Sequence, residues 1–157
     1  MKHFTPDEFK NCHLGLLLGR AALLKDRILD THMEPHGITA AQFKVLIIMA
    51  QMGVDTPAEL CRHLSIDSGS MTRMLDRLEQ KGFLARQRSA ADRRQVQLVL
   101  TEQGQQLTDR LPEIGADAMN ELAGAISAEE LKTLENILQK ILVAAGDSIT
   151  LLRVGKP

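Results

Sequence analysis

Between Ser68 and Arg94 the chain gathers side chains that can hold a polyanion. Ser68, Ser70 and Thr72 carry hydroxyls able to donate to phosphate oxygens or base edges. Arg73 and Arg77 can reach a phosphate or the two acceptors of guanine. Arg86 and Arg88 follow as further basic candidates, and the run Ala90-Ala91-Asp92-Arg93-Arg94 closes the series. An arginine in such an exposed run can enter a narrow minor groove, where the negative potential is deepest. Asp92 fits a brace that orients a neighbouring guanidinium, because a free carboxylate would repel phosphate. The bland alternative for Arg73 and Arg77 is a solvated helix face. The charge distribution weighs against it: residues 57–101 hold 8 Lys or Arg against 5 Asp or Glu, net +3, whereas residues 102–157 hold 5 against 9, net −4.

Other chemistries find less support. The chain has no nucleophile elbow, no phosphate-binding glycine loop and no paired ligand spacing, so no enzyme and no cofactor are expected. Gly15 and Gly19, one helical turn apart, suit close approach of another helix or room for a ligand. His32, Glu34 and His36 could ligate zinc, but their place at a helix end and turn gives poor ligand geometry, and an ordinary turn histidine is the expected reading. The two cysteines, Cys12 and Cys61, cannot form a disulfide framework in a chain of this length; Cys61 is expected in the core.

The elements that must carry these residues follow from periodicity. Leu14, Leu17, Leu18, Ala21, Leu24 and Ile28 predict one long helix over Thr5–Met33, broken by Glu34-Pro35-His36-Gly37. A second helix after Thr39 turns Phe43, Leu46, Ile47 and Ala50 inward. Thr56-Pro57-Ala58-Glu59 starts a short helix ending near Leu64. Asp67 caps a helix over Ser68–Lys81 that stops at Gly82, with Met71, Met74, Leu75 and Leu78 inward and Gly69, Ser70, Arg73, Asp76 and Arg77 outward. The period then shortens to two, predicting strands over Phe83–Ser89 and Gln95–Leu100 with the basic run at the hairpin tip. Thr101 caps a helix in which Pro112 marks a kink. Ser127-Ala128-Glu129-Glu130 opens a near-heptad helix from Leu131 to Ala145, and the apolar residues Ile149 to Val154 are expected to pack on something.

The 157 residues, 44% hydrophobic and 25% charged, describe one globular domain. Its longest nearly uncharged stretch, Val45–Val54, is far short of the roughly 20 residues a membrane helix needs. No basic region feeds an apolar run near Met1, so the expected location is the cytoplasm. The expected fold is mainly α with a small β-wing: a winged helix-turn-helix over about 38–104, with dimerisation helices over 1–34 and 105–157. Both flanking segments carry more apolar surface than a small winged core can cover.

The runs Thr56-Pro57-Ala58-Glu59-Leu60, Ser70 to Leu84, and Asp92-Arg93-Arg94 followed by Leu98 to Gly104 resemble the MarR family of winged-helix transcriptional regulators, as do the order and lengths of the flanking helices. The resemblance implies a homodimer, joined through its first and last two helices, that binds a pseudo-palindromic site on double-stranded DNA. Half-sites would then lie about 34–36 Å apart. It makes Ser68–Lys81 the recognition helix, Arg94 the minor-groove residue and Asp92 its brace. It also implies release by a small ligand, often an aromatic carboxylate, between the first, second and fifth helices and the winged part. Helix placement makes Leu16, Arg20, His36, Phe43 and Ile47 the candidate ligand residues. Some relatives sense peroxide through a first-helix cysteine poised by tyrosine hydroxyls; this chain has no Tyr, so Cys12 is expected to be an ordinary thiol. Open alternatives are a winged-helix protein-interaction module and a redox or metal sensor using Cys12 or His32 and His36.

Overall fold

The computed structural model describes residues 4–88 and 96–154. Among the described residues, eight helices and a two-stranded sheet lie in the order α1 (Pro6–Phe9), α2 (Leu14–Met33), α3 (Ala40–Met52), α4 (Pro57–Leu64), α5 (Ser68–Gln80), β1 (Leu84–Arg88), β2 (Val96–Leu100), α6 (Glu102–Ala123), α7 (Ala128–Ala144) and α8 (Ser148–Val154). A 3-10 turn, Glu34–His36, joins α2 to α3.

Local capping sets most of these boundaries. The hydroxyls of Thr39 and Ser127 accept from the third backbone N–H of their helices while Gln42 and Glu130 reach back, forming complete capping boxes. Thr56, Asp67 and Thr101 cap α4, α5 and α6 through their side chains. Helix α5 ends one residue before the expected Lys81, and Gly82 follows at φ +77°, a left-handed turn that glycine adopts without a Cβ clash.

Two expectations require correction. The long first helix is two elements: α1 ends at Phe9, and Lys10 to His13 separate it from α2. Asn11, Cys12 and His13 are weak helix formers, and no side chain caps the start of α2. Cys12 therefore sits in a connection, half-buried and unpaired, not within a helix. In α3, Leu46 is buried, Phe43 and Ile47 are half-buried, and Ala50 is exposed. Val45, Ile48 and Met49 are buried instead, because α3 packs against α2, α4 and α6 and is apolar on most of its circumference.

One core unites the helices and the sheet. Met33, Val45, Leu46, Leu60, Met71, Leu75, Leu78, Leu84, Leu98 and Leu111 are its fully buried side chains. The strands pair antiparallel from Leu84 with Leu100 to Arg88 with Val96. The sheet is stitched to the segment before α4: Leu98 N–H donates to the Asp55 carbonyl at 2.7 Å and Gln97 Nε2 to Asp55 Oδ2 at 2.6 Å. Where α6 leaves the sheet, Thr101 Oγ1 donates to the Gly82 carbonyl and its N–H to that of Phe83. Gly104 lies so close there that a Cβ would stand 1.8 Å from the Phe83 oxygen. Pro112 lies inside α6, which runs unbroken.

Outside this core, apolar surface is left uncovered. Leu16, Leu17 and Leu23 on α2 are more than 60% exposed. Helix α7 has no buried residue, although Leu134, Ile137, Ile141 and Leu142 line it.

Candidate nucleic-acid interface

Helices α4 and α5 enclose the turn Ser65-Ile66-Asp67. Ser65 is the one non-glycine residue at positive φ among those described, at +53°. Its left-handed conformation ends α4 and lets Asp67 begin α5 after a single intervening residue. Asp67 Oδ1 accepts from Ser70 N–H at 2.8 Å; that backbone bond holds the Asp67 carboxyl below the usual carboxylate range. Met71, Leu75 and Leu78 anchor the inner face of α5 in the core. This leaves Ser68, Gly69, Thr72, Arg73, Asp76 and Arg77 exposed on the other side, with Ser70 half-buried.

The exposed groups are partly pre-organised. Arg73 Nη2 donates to Ser70 Oγ at 3.1 Å. Thr72 Oγ1 donates to the Ser68 carbonyl at 2.8 Å, which leaves its lone pairs available to a base amino group. Ser70, Arg73 and Arg77 share a cleft of about 230 Å³ with Thr39, Ala41 and Gln42 at the start of α3. Two guanidiniums and the first turn of α3 thus converge on one space; Asp30 Oδ1 already accepts from Ala40 N–H at 2.6 Å there, so the guanidiniums are the groups that suit a phosphate oxygen. Sequence reading missed this contribution of α3, although the Thr39–Gln42 capping box marks the helix start. Lys81 also went unassigned. Its Nζ donates to the Gly37 carbonyl at 2.6 Å and to Gln42 Oε1 at 2.9 Å, tying the end of α5 to the start of α3.

Arg86, expected to face nucleic acid, has a different placement. It is 28% exposed, and its guanidinium donates to Asp76 Oδ1 at 2.6 Å and to Glu79 Oε2. Its backbone N–H donates to the other Glu79 oxygen at 3.1 Å. Burial alone would lower the Arg86 pKa; the two carboxylates outweigh it and hold the guanidinium charged. Arg86 is therefore a brace between β1 and α5, with both donor edges occupied. Arg88, two residues further toward the hairpin tip, is exposed. Asp92, Arg93 and Arg94 lie outside the described residues.

The candidate ligand residues divide. Phe43 and Ile47 line two cavities, one on each side of α3. Leu16 and Arg20 are exposed on the N-terminal half of α2, and His36 lies in the 3-10 turn; none of the three lines either cavity. His32 faces α6, its Nε2 2.7 Å from Glu121 Oε2, and so does not converge with Glu34 and His36.

Comparison with known proteins agrees with this geometry. The MarR family model matches residues 38–96, from the start of α3 to the beginning of β2. The multiple antibiotic resistance protein MarR of Escherichia coli is 41% identical over 130 residues, covering 82% of this chain and 90% of that protein. A mutant of the Escherichia coli protein solved in complex with operator DNA superimposes with a TM-score of 0.76 at 38% identity, covering 85% of this chain and 96% of the other. A MarR family protein of Mycobacterium tuberculosis, solved with p-aminosalicylic acid, gives 0.67 at 27% identity, covering 82% and 97%. With a helix-turn-helix, a sheet braced against its second helix and this similarity along most of its length, the chain belongs to the MarR family of transcriptional regulators.

Proposed function

We propose that the protein is a homodimeric repressor that binds a pseudo-palindromic operator in the cytoplasm and is released by a small organic ligand. The observation that carries this is the outward face of α5, where Ser70, Arg73 and Arg77 meet the N-terminus of α3 while Arg86 fixes the wing strand beside them. The part from about 38 to 104 would bind DNA. The uncovered apolar faces of α2 and α7 would be buried against a second copy, giving two recognition helices for two half-sites. A relative solved on operator DNA and another solved with p-aminosalicylic acid support both the DNA and the ligand. No helix among the described residues is long and apolar enough to cross a membrane, in keeping with a DNA-binding role.

Ser68, Ser70, Thr72, Arg73, Arg77 and Arg88 are the DNA-facing candidates, joined by Arg93 and Arg94 at the wing tip with Asp92 as brace. The test is fluorescence anisotropy against the chain's own upstream intergenic duplex and a scrambled one, at two salt concentrations. Operator preference with a steep salt slope is expected, and Arg94→Ala should cost about 1–3 kcal/mol and flatten that slope by about one. Equal, weak binding to both duplexes would overturn the operator, and unchanged affinity in Arg94→Ala would overturn the wing assignment.

A further inference from the structure

Gln42 and Thr108 are the buried polar side chains among the described residues, and Gln42 is 3% exposed. An amide so far from water needs partners for its oxygen and for its NH2 group. The oxygen has two: Lys81 Nζ donates to Oε1 at 2.9 Å and Thr39 N–H at 3.2 Å. Both partners can only donate, so they fix which end of the amide is oxygen. Turning the amide over would set its NH2 against an ammonium and a backbone N–H. Nε2, by contrast, makes no hydrogen bond among the described residues. It is not one of the fully enclosed polar atoms that lack a partner, so it touches open space.

That space is the cleft on the recognition face. Gln42 lines it with Ser70, Arg73 and Arg77, whereas Lys81 and Gly37 line a different cavity, against the end of α2. With Oε1 turned toward Lys81, Nε2 is the polar atom that Gln42 has left for the cleft. The support behind it is firm. Lys81 Nζ also donates to the Gly37 carbonyl at 2.6 Å, and Asp30 Oδ1 accepts from Ala40 N–H at 2.6 Å, so the turn of α3 that carries Gln42 is held by both α5 and α2.

We propose that Gln42 is a DNA-contacting residue whose Nε2 donates to the operator phosphate that Arg73 and Arg77 hold in the cleft, with Lys81 as the positioning residue that keeps this donor turned outward. This deepens the operator reading and rests on it. A long arginine can follow a displaced phosphate, but a buried amide cannot. Gln42 therefore adds register, fixing where α5 sits along the backbone, without displacing a counterion.

The test is Gln42→Glu in the full-length protein. Glutamate keeps the capping box and gains an ion pair with Lys81, so the urea midpoint should match or exceed that of the wild type. The oxygen that replaces Nε2 repels the phosphate, and operator affinity by fluorescence anisotropy should fall about tenfold or more. Gln51→Glu adds the same charge about 13 Å further along α3, beyond the Debye length, and should leave affinity within about twofold. Operators carrying one neutral methylphosphonate at a time identify the partner: at one phosphate in each half-site the replacement should weaken the wild type yet recover much of the Gln42→Glu loss. Lys81→Met frees the amide to turn and should lower affinity several-fold without a shallower slope of log K against log salt, because no cation leaves a phosphate.

Full affinity in Gln42→Glu, or a loss that no single methylphosphonate relieves, would overturn the contact. A slope shallower by about one in Lys81→Met would overturn its positioning role and make it a phosphate contact. If the urea midpoint of Gln42→Glu falls, NMR of the wild-type Gln42 side-chain NH2 decides: a shift on operator binding supports the contact, and unmoved signals overturn it. A wild type with no preference for the operator sinks the regulator together with the contact; a preferred operator that Gln42→Glu binds in full sinks the contact alone.

Discussion

Removing the Arg86 guanidinium separates a positioning role from a phosphate contact. Arg86→Met keeps much of the side-chain stem and deletes two charge-assisted bonds, to Asp76 and to Glu79. The carboxylates are 58% and 38% exposed, so each pair is discounted toward the surface value, and the loss of folding stability should be about 1–2 kcal/mol. The effect on DNA has a different form. Asp76 lies on the outward face of α5, and without Arg86 its charge and that of Glu79 stand unneutralised beside the recognition surface. Operator affinity should fall, on the order of tenfold, from this repulsion and from a less constrained wing strand. The slope of log K against log salt should not become shallower, because no phosphate contact is lost; an arginine that does meet a phosphate contributes about 0.9 to that slope. The double variant Arg86→Met/Asp76→Asn should recover part of the affinity. Anisotropy at four or five salt concentrations measures all of this. A slope shallower by about one unit in Arg86→Met, with no recovery in the double variant, would refute the brace and return Arg86 to the DNA contacts.

Three other perturbations test the frame around the site. Gly104→Ala places a Cβ 1.8 Å from the Phe83 oxygen and must displace the start of α6 from the sheet. Overpacking and a weakened Thr101 cap, less the helix-propensity gain, amount to about 2–4 kcal/mol, so Tm should drop by about 5–15 °C; a drop under about 2 °C would sink the argument. Ser65→Gly removes the cost of a side chain at φ +53° and should raise the unfolding free energy by about 0.5–1 kcal/mol after allowing for the looser unfolded chain, read as a higher urea midpoint; an unchanged or lower midpoint would count against strain at the turn. His63, whose pKa is lowered on folding by burial, is protonated more readily in the unfolded chain. Its contribution is therefore complete above the unfolded value of about 6.5 and is lost as pH falls from there through the lower folded-state pKa. Stability of the wild type should fall more steeply from pH 7 to pH 5 than that of His63→Gln, and parallel profiles by urea denaturation would contradict the burial argument.

What the sequence made legible was local. The caps at Thr56, Asp67, Thr101 and Ser127 depend on residues three positions apart, and all four stand where the sequence puts them. The inward stripe of α5 was equally readable, because one face of that helix is buried and the other is not. Helix α3 was not, because burial on several sides removes the contrast that a period needs, and Ala50 was placed inward when it is exposed. The basic series was read as one set of nucleic-acid contacts, yet its members divide by partners that no spacing reveals. Arg86 meets Glu79 only because the chain reverses at Gly82, bringing β1 back along α5. Lys81 meets Gln42 across 39 positions, and Arg153 reaches the wall of α3 only because Gly146 turns the chain after α7. Charge type is written in the sequence, but whether a cation is spent inside the protein or left for a ligand depends on those reversals. The same reasoning separates Arg73 and Arg77, exposed beside a helix N-terminus, from Arg86, which is held between two carboxylates.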